Sequence, residues 1–336
     1  MTVSGKVSGA KDGLDDNLRP GSEALFADYL VRSMQGLEQR HRIRFRTLSP
    51  INEPNTPYWY AGNKQEGAHW SPAAQQRMIV ATAQALRTHG STTQVAAMDE
   101  TNAQTFALNW AAYAAPARAA IGQLNVHSYA DTGQTAVRDI ARSSGKRLWM
   151  SEVDLSAPNT VEDKDDVRSM LALGERIVLD LKRLEPSAWV FWQAVEDLSA
   201  RDGQKGSNWG LVKMDLRAPR GAAPAITVTS KYRAMAAFSR YILPGDRLVR
   251  TDDGDSVATI GDDAKRIVLV HVNNGPVPRA ISLRMTGAPA NGWTMRQVTT
   301  TAIRHVETAS PATPRASIDA VAAPFAITTL VLSATR

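Results

Sequence analysis

The chain has 336 residues, enough for one large domain and a smaller one, and its 43% hydrophobic content is ordinary for a protein that buries a core. The formal net charge of +6 is modest and the basic residues are scattered, which argues against a nucleic-acid partner. The absence of cysteine excludes disulfides and thiolate metal sites. No stretch reaches the ~18 apolar residues that a membrane span needs, so we expect no membrane partner.

Helical and strand patterns alternate between about residue 20 and residue 240. Apolar residues at a helical period predict a helix over 22–39. Ser71 and Pro72, an N-cap residue followed by a proline at the first helical position, predict the start of a helix that ends near Thr88. The remaining predicted helices cover 105–113, 135–143, 166–184 and 230–241, and the predicted strands cover 44–51, 93–98, 123–129, 147–153 and 188–194. This alternation is typical of parallel βαβ units.

The pattern changes after Pro244 and Gly245. Turn sequences separate the short β-rich runs that follow, at 256–260, 266–272, 280–285, 294–299 and 325–332. We therefore predict a partial (β/α) barrel, the catalytic domain, over 1–243 and an antiparallel β-sandwich over 244–336. Five barrel strands are predicted, whereas a closed (β/α)8 barrel needs eight.

Two glutamates stand where predicted strands give way to loops. Glu53 follows the strand 44–51, and Glu152 ends the strand 147–153. Because the carboxyl ends of parallel strands meet at the mouth of a barrel, the two carboxylates can face each other there. One acid and one nucleophile on either side of a glycosidic bond are what a retaining glycosidase needs. The alternative is a pair of ordinary strand-end acids in surface salt bridges.

The segment 47–55, Thr-Leu-Ser-Pro-Ile-Asn-Glu-Pro-Asn, resembles the acid/base strand of family 30 glycoside hydrolases, and Ser151-Glu152 follows about 100 residues later as in that family. Within the family, the chain is most similar to the endo-β-1,6-galactanases. Further supporting segments are 1–5, 16–20, 65–69, 125–129, 206–211 and 238–245. The resemblance implies a retaining enzyme with a (β/α)8 barrel and a side β-sandwich, without cofactor or metal. It also implies that the chain lacks about the first three barrel strands, since the segment 1–5 follows the third strand in the family.

The resemblance assigns roles to individual residues. Glu53 is expected to be the general acid/base and Glu152 the nucleophile, with their carboxyl groups roughly 5–5.5 Å apart. Asn52 is expected to hydrogen-bond the sugar 2-hydroxyl, with a turn asparagine as the alternative. His127 and Tyr129 are two positions apart on one strand and therefore point to one face, so we expect one of them to contact Glu152. A structural histidine and a packed tyrosine are the alternative for this pair.

Aromatic residues in loops near the carboxylates are candidate platforms for a sugar ring, with ordinary packing as the alternative for each. They are Tyr58, Trp59, Trp192 and Trp209. Asp99 and Glu100 at the end of another strand are candidates for binding substrate hydroxyls. The equal alternative is that they fix the side chains of His127 or Arg46.

The leading functional hypothesis is a retaining endo-glycosidase that cleaves the β-1,6-galactan side chains of arabinogalactan. Related alternatives are a β-1,6-glucanase and a glucuronoxylanase. A different class is a truncated remnant, inactive or carbohydrate-binding, because a barrel without three strands has open edges, which also favour self-association. The first 20 residues lack the apolar region of a signal peptide, and the polysaccharide substrate implies that a full-length form is secreted or periplasmic.

Overall fold

A computed structural model describes residues 1–155, 164–197, 209–284, 292–313 and 317–334 of the chain. The chain divides into two compact units. The first unit comprises Met1–Val153 and Arg183–Phe191, and the second comprises Asp154–Lys182 and Trp192–Arg336. The functional boundary between residues 243 and 244 stays a prediction.

The helices of the described residues are α1 (Glu23–His41), α2 (Pro72–Thr88), α3 (Ala103–Ala112), α4 (Ala115–Ala120), α5 (Gln134–Ser144), α6 (Val167–Arg183) and α7 (Ser230–Ser239). None of these combines the length and the apolar composition that crossing a membrane requires. The strands of the first unit are β1 (Thr47–Leu48), β2 (Gln94–Glu100), β3 (Ile121–His127), β4 (Arg147–Glu152) and β5 (Ala188–Trp189). Those of the second unit are β6 (Val195–Asp197), β7 (Val212–Met214), β8 (Ile226–Val228), β9 (Arg247–Val249), β10 (Ser256–Ile260), β11 (Arg266–Asn273), β12 (Arg279–Arg284), β13 (Trp293–Thr300), β14 (His305–Thr313), β15 (Ser317–Ala322) and β16 (Ala326–Ala334).

The first unit is built on a five-stranded sheet in the order β1-β2-β3-β4-β5, in which every neighbouring pair is parallel. Helix α2 links β1 to β2, α3 and α4 link β2 to β3, and α5 links β3 to β4. Helix α2 contacts β2, α3 contacts β2 and β3, α4 contacts β3, and α5 contacts β4. The predicted βαβ alternation with five parallel strands is confirmed, and the sheet has the topology of part of a (β/α) barrel.

Capping groups and burial explain where these elements lie. At the start of α2, Ser71 Oγ accepts a hydrogen bond from the backbone N–H of Ala74 at 3.3 Å, and Pro72 occupies the first helical position as predicted. At the start of α3, Asn102 accepts from the N–H of Thr105 at 2.9 Å. Strands β2 and β3 are buried along nearly their whole length, which is typical of central strands in a parallel sheet.

Two predicted strands are longer than the observed ones. The strand predicted over 44–51 is reduced to β1, because Pro50 has no backbone N–H to donate to a ladder. The strand predicted over 188–194 is reduced to β5, so Trp192 comes after the strand rather than at its end. The short helix α4 was not predicted, since six residues are too few to show an apolar period.

The second unit contains a six-stranded antiparallel sheet in the order β14-β13-β16-β11-β10-β9 and an antiparallel pair, β12 and β15. Five of these strands correspond to the five β-rich runs of the sequence. Buried residues of both sheets share one apolar cluster: Ala258, Leu269, Ile281, Ala320, Ala322 and Leu330. A small sheet joins β6 in parallel and β8 in antiparallel orientation to β7.

Candidate active site

The carboxyl ends of the parallel strands bring four ionisable side chains to one edge of the first unit's sheet. Glu100, His127 and Glu152 are the last residues of β2, β3 and β4, and Glu53 lies in the loop after β1. The register pairs His127 with Glu152. Glu53, His127 and Glu152 each place one polar atom within 4.8 Å of the other two. The structure therefore brings together the two glutamates that the sequence pattern singles out.

Glu53 lies in a turn whose backbone is held on several sides. Its N–H donates to the carbonyl of Asp99 at 2.8 Å, and its own carbonyl accepts from Thr56 Oγ1 and from Trp59 Nε1, both at 2.9 Å. Its φ of +46° lies in the left-handed region, which a residue with a side chain seldom adopts. The carboxylate is 6% exposed. An unusual backbone conformation at a buried ionisable residue is typical of a functional site.

His127 lies between the two glutamates and is 1% exposed. Its Nδ1 is 3.1 Å from Glu53 Oε1 and 3.7 Å from Glu152 Oε1, and its Nε2 is 3.8 Å from Asp99 Oδ1. Burial lowers the pKa of His127, but the Asp99 carboxylate at 3.8 Å, the hydrogen bond to Glu53 and the charge of Glu152 outweigh it and raise this pKa to about 9. The imidazole therefore carries a positive charge at neutral pH and offsets the repulsion between the carboxylates.

The same trio offers three atoms that could ligate a metal. A metal-binding histidine must be neutral, so a metal ion would have to displace a proton from His127, whose pKa is raised to about 9. The same residue types suit acid–base and nucleophilic chemistry.

Glu152 is held on one side and open on the other. The hydroxyl of Tyr129 donates to Glu152 Oε1 at 3.0 Å. Burial raises the pKa of Glu152, while the charge of His127 and the hydrogen bond from Tyr129 oppose that shift. The side chain of Glu152 is 21% exposed, so a ligand can approach it from outside.

Asp99 lies next to Nε2 of His127, on the side of the ring away from Glu53. This agrees with the alternative in which Asp99 fixes the side chain of His127 and not with a contact to Arg46. Asp99 Oδ2 accepts from Ser49 Oγ and from Asn125 Nδ2, the latter at 3.2 Å. Burial raises the pKa of Asp99, but the nearby charge of His127 and the hydrogen bond from Ser49 outweigh that effect and leave this pKa below its ordinary value. Arg46 donates instead to Gln123 at 3.0 Å.

Glu100 is 1% exposed and has partners other than those expected. Its carboxylate accepts from the backbone N–H of Thr101 at 3.1 Å and from Asn109 Nδ2 at 2.8 Å. Burial raises the pKa of Glu100 to about 7. Sequence reasoning missed Asn109, because a polar residue inside a helical pattern does not show which way it points.

The other predicted site residues are placed differently from one another. Asn52 is exposed next to Glu53, and Tyr58 is 38% exposed. Trp59 is 1% exposed, so its ring supports the Glu53 turn from beneath and offers no free face to a sugar. Trp192 and Trp209 belong to the second unit. Trp192 is 42% exposed, and Trp209 is partly buried.

Residues 1–120 match the sequence model of O-glycosyl hydrolase family 30. An exo-β-1,6-galactobiohydrolase of Bifidobacterium longum subsp. longum is 28% identical over 346 residues, covering 82% of this chain and 23% of that protein. An endo-β-1,6-galactanase of Hypocrea rufa is 27% identical over 282 residues, covering 83% of this chain and 54% of that protein. The chain is thus similar to glycoside hydrolase family 30, by the sequence model over its first 120 residues and by two relatives that act on β-1,6-galactan linkages according to their names.

A solved structure shows the fold of this chain independently. The family 30 endoxylanase of Clostridium papyrosolvens C71 superposes with a TM-score of 0.70 at 19% identity, covering 94% of this chain and 72% of that one. The five-stranded parallel sheet thus corresponds to part of a TIM-like barrel. The chain spans little more than half of the galactanase and about a quarter of the galactobiohydrolase.

Proposed function

We propose that this chain carries the catalytic centre of a retaining family 30 glycoside hydrolase that cleaves β-1,6-linked galactan. The proposal rests above all on the short distance between the two glutamates: a carboxylate oxygen of Glu53 lies within 4.8 Å of a carboxylate oxygen of Glu152. Retaining glycosidases hold their carboxyl groups roughly 5–5.5 Å apart, whereas inverting ones leave roughly 6.5–9.5 Å for a water. The observed approach supports the retaining geometry.

In the first step, Glu152 attacks the anomeric carbon while Glu53 gives its proton to the departing glycosidic oxygen. This breaks the glycosidic bond and leaves a galactosyl group esterified to Glu152. In the second step, the ionised Glu53 takes a proton from water, whose oxygen attacks the anomeric carbon and releases Glu152. Both glutamates return to their starting protonation states.

The neighbouring side chains support these steps. Protonated His127 lies within 3.7 Å of an oxygen of each glutamate, so it lowers the cost of holding two acidic groups together. The Tyr129 hydroxyl orients Glu152 and favours its ionised, nucleophilic form. Asn52 is exposed beside Glu53 and is proposed to bind the sugar 2-hydroxyl. Tyr58 is exposed enough to stack on a sugar ring, and the proposal extends that role to Trp192 and Trp209.

The proposed substrate rests on the sequence relatives, whose names specify β-1,6-galactan chemistry in both cases. One of them is exo-acting and the other endo-acting, and we propose endo action for this chain. Since the substrate is an extracellular polysaccharide, the proposal includes a secreted or periplasmic location for a full-length form. We also propose that the antiparallel strands after residue 243 form the predicted β-sandwich, which the shared apolar cluster of its two sheets supports.

The test is hydrolysis of de-arabinosylated arabinogalactan by the purified chain. We expect short β-1,6-galacto-oligosaccharides from the parent and none from Glu152→Ala, while Glu66→Ala, a change at an exposed glutamate, keeps the parent rate. The same assay on β-1,6-glucan and glucuronoxylan separates the related alternatives. A folded parent that leaves all three polymers intact would overturn the proposal in favour of a non-catalytic remnant.

A further inference from the structure

A second buried carboxylate lies behind the turn that carries Glu53. The carboxylate of Glu100 accepts hydrogen bonds from Asn109 Nδ2 at 2.8 Å and from the N–H of Thr101 at 3.1 Å. The backbone N–H of Asn55 faces the same carboxylate and favours its ionised form by lowering the pKa of Glu100. Glu100 is thus surrounded by donors, and one of them belongs to the residue two positions after Glu53.

The side chain of Asn55 is tied into the same network. Its Oδ1 accepts from Asn109 Nδ2 at 2.9 Å and from Gln75 Nε2 at 2.7 Å. Gln75 in turn accepts from the hydroxyl of Tyr113. All of these groups except Asn55 are buried. Asn55 is therefore fixed through both its backbone and its side chain.

Asp99 and Glu100, at the end of β2, therefore contact both ends of the turn formed by residues 53–55. We call this pair of contacts the clamp. The carbonyl of Asp99 accepts from the N–H of Glu53 at 2.8 Å. The carboxylate of the next residue, Glu100, faces the N–H of Asn55 and is joined to the Asn55 side chain through Asn109 Nδ2, which donates to both. Between these two points lie only Glu53 and Pro54. Glu53 has its unusual φ of +46° inside this clamp, so the clamp sets where its carboxylate points.

We propose that Glu100 is a positioning residue for the acid/base, and that its ionised carboxylate holds the turn of Glu53 while its protonation loosens it. The part that names an acid/base rests on the proposed function. The clamp itself is a property of the turn and can be tested without any substrate.

Protonation weakens the clamp because every partner of Glu100 is a donor. A neutral carboxyl group brings a donor of its own and loses part of its accepting capacity, so at least one of the contacts to Thr101, Asn55 and Asn109 must weaken. Burial places this change near neutral pH, since it raises the pKa of Glu100 to about 7.

Three titratable groups face Glu100. The charge of His127 on β3 favours the ionised form of Glu100, and that of Glu53 opposes it. Tyr113, at the end of α3, stays neutral because burial raises its pKa above the ordinary value. Ionisation of Glu100 is thus governed by burial and by the donors around it.

The indole N–H of Trp59 reports on the turn, because it donates to the carbonyl of Glu53 at 2.9 Å. In ¹H–¹⁵N spectra, we expect this resonance to titrate with a midpoint near pH 7 and to stay flat across about pH 5.5–8.5 in Glu100→Gln. The matched control is Glu66→Gln, the same change at an exposed glutamate, which should keep the titration. A parent resonance that does not titrate, or a titration that persists in Glu100→Gln, overturns the proposal.

A second variant covers the case in which Glu100→Gln does not fold. Asn109→Ala removes one donor from the ionised carboxylate and leaves Glu100 in place, so we expect the midpoint of the Trp59 titration to move to higher pH. An unchanged or lowered midpoint in folded Asn109→Ala contradicts the proposed network.

A hydrolysis assay shows whether the proposed positioning role of Glu100 and the proposed function fail together or separately. On β-1,6-galactan, we expect Glu100→Gln to lose kcat by about 10-fold or more with KM within about 3-fold, and its pH profile to lose the limb near pH 7. If the parent hydrolyses nothing but Trp59 titrates as expected, the proposed function fails and the clamp stands. If the parent hydrolyses the polymer and Trp59 does not respond to pH, the clamp fails alone.

Discussion

Nδ1 of His127 lies 3.1 Å from Oε1 of Glu53, with 1% and 8% of the two side chains exposed. A buried cation gains stability from the acidic groups around it, and removing those partners leaves its charge uncompensated. The contact therefore links the charge balance of the site to the stability of the fold.

The pH dependence of stability follows from that link. The pKa of His127 is raised to about 9 in the folded state, so its contribution to stability is fully present below its unfolded pKa of about 6.5 and is lost as pH rises through 9. The parent's free energy of unfolding should fall by about 3 kcal/mol across this window on account of His127. Urea unfolding from pH 6 to pH 10 measures it, and His127→Gln should lack this component; an equal slope in the variant would contradict the assignment.

Tyr129→Phe tests the support of Glu152. The change removes one hydrogen bond to that carboxylate, so the pKa of Glu152 should rise further and the acid limb of kcat should move to higher pH. We expect kcat to fall by about 10-fold. The same change at an exposed tyrosine on α1, Tyr29→Phe, should leave the profile in place. An unmoved limb in Tyr129→Phe would show that the hydrogen bond does not influence ionisation.

Gly67→Ala tests whether the buried ring of Trp59 holds the Glu53 turn. A Cβ at Gly67 would come 2.3 Å from Trp59 Cε3, so the ring must shift. We expect a loss of about 1–3 kcal/mol in the free energy of unfolding, together with reduced hydrolysis. The control is Gly36→Ala within α1, where a Cβ meets nothing within 4 Å and stability should rise by about 0.5–1 kcal/mol. Equal unfolding free energies for both variants would contradict the role of Trp59.

Sequence patterns predicted the parts of the fold that depend on local periodicity. Alternating helices and strands gave the parallel sheet, and the strand ends placed Glu53 and Glu152 at one edge. The clamp behind Glu53 was not predictable in this way, because Asn55 and Asn109 are 54 positions apart and meet only through tertiary packing. The burial of Trp59 was missed for the same reason, since a loop aromatic next to a glutamate looks alike whether its ring faces solvent or core.

The role of Glu152 as the nucleophile is tested most directly by trapping the glycosyl-enzyme intermediate and locating it by peptide mass spectrometry. A 2-deoxy-2-fluoro β-1,6-galactobiosyl fluoride should slow the second step more than the first, so that the ester accumulates. We expect a fluoroglycosyl adduct on the peptide that contains Glu152, and no adduct in Glu152→Ala. An adduct on another residue, or galactan cleavage without any adduct, would contradict it.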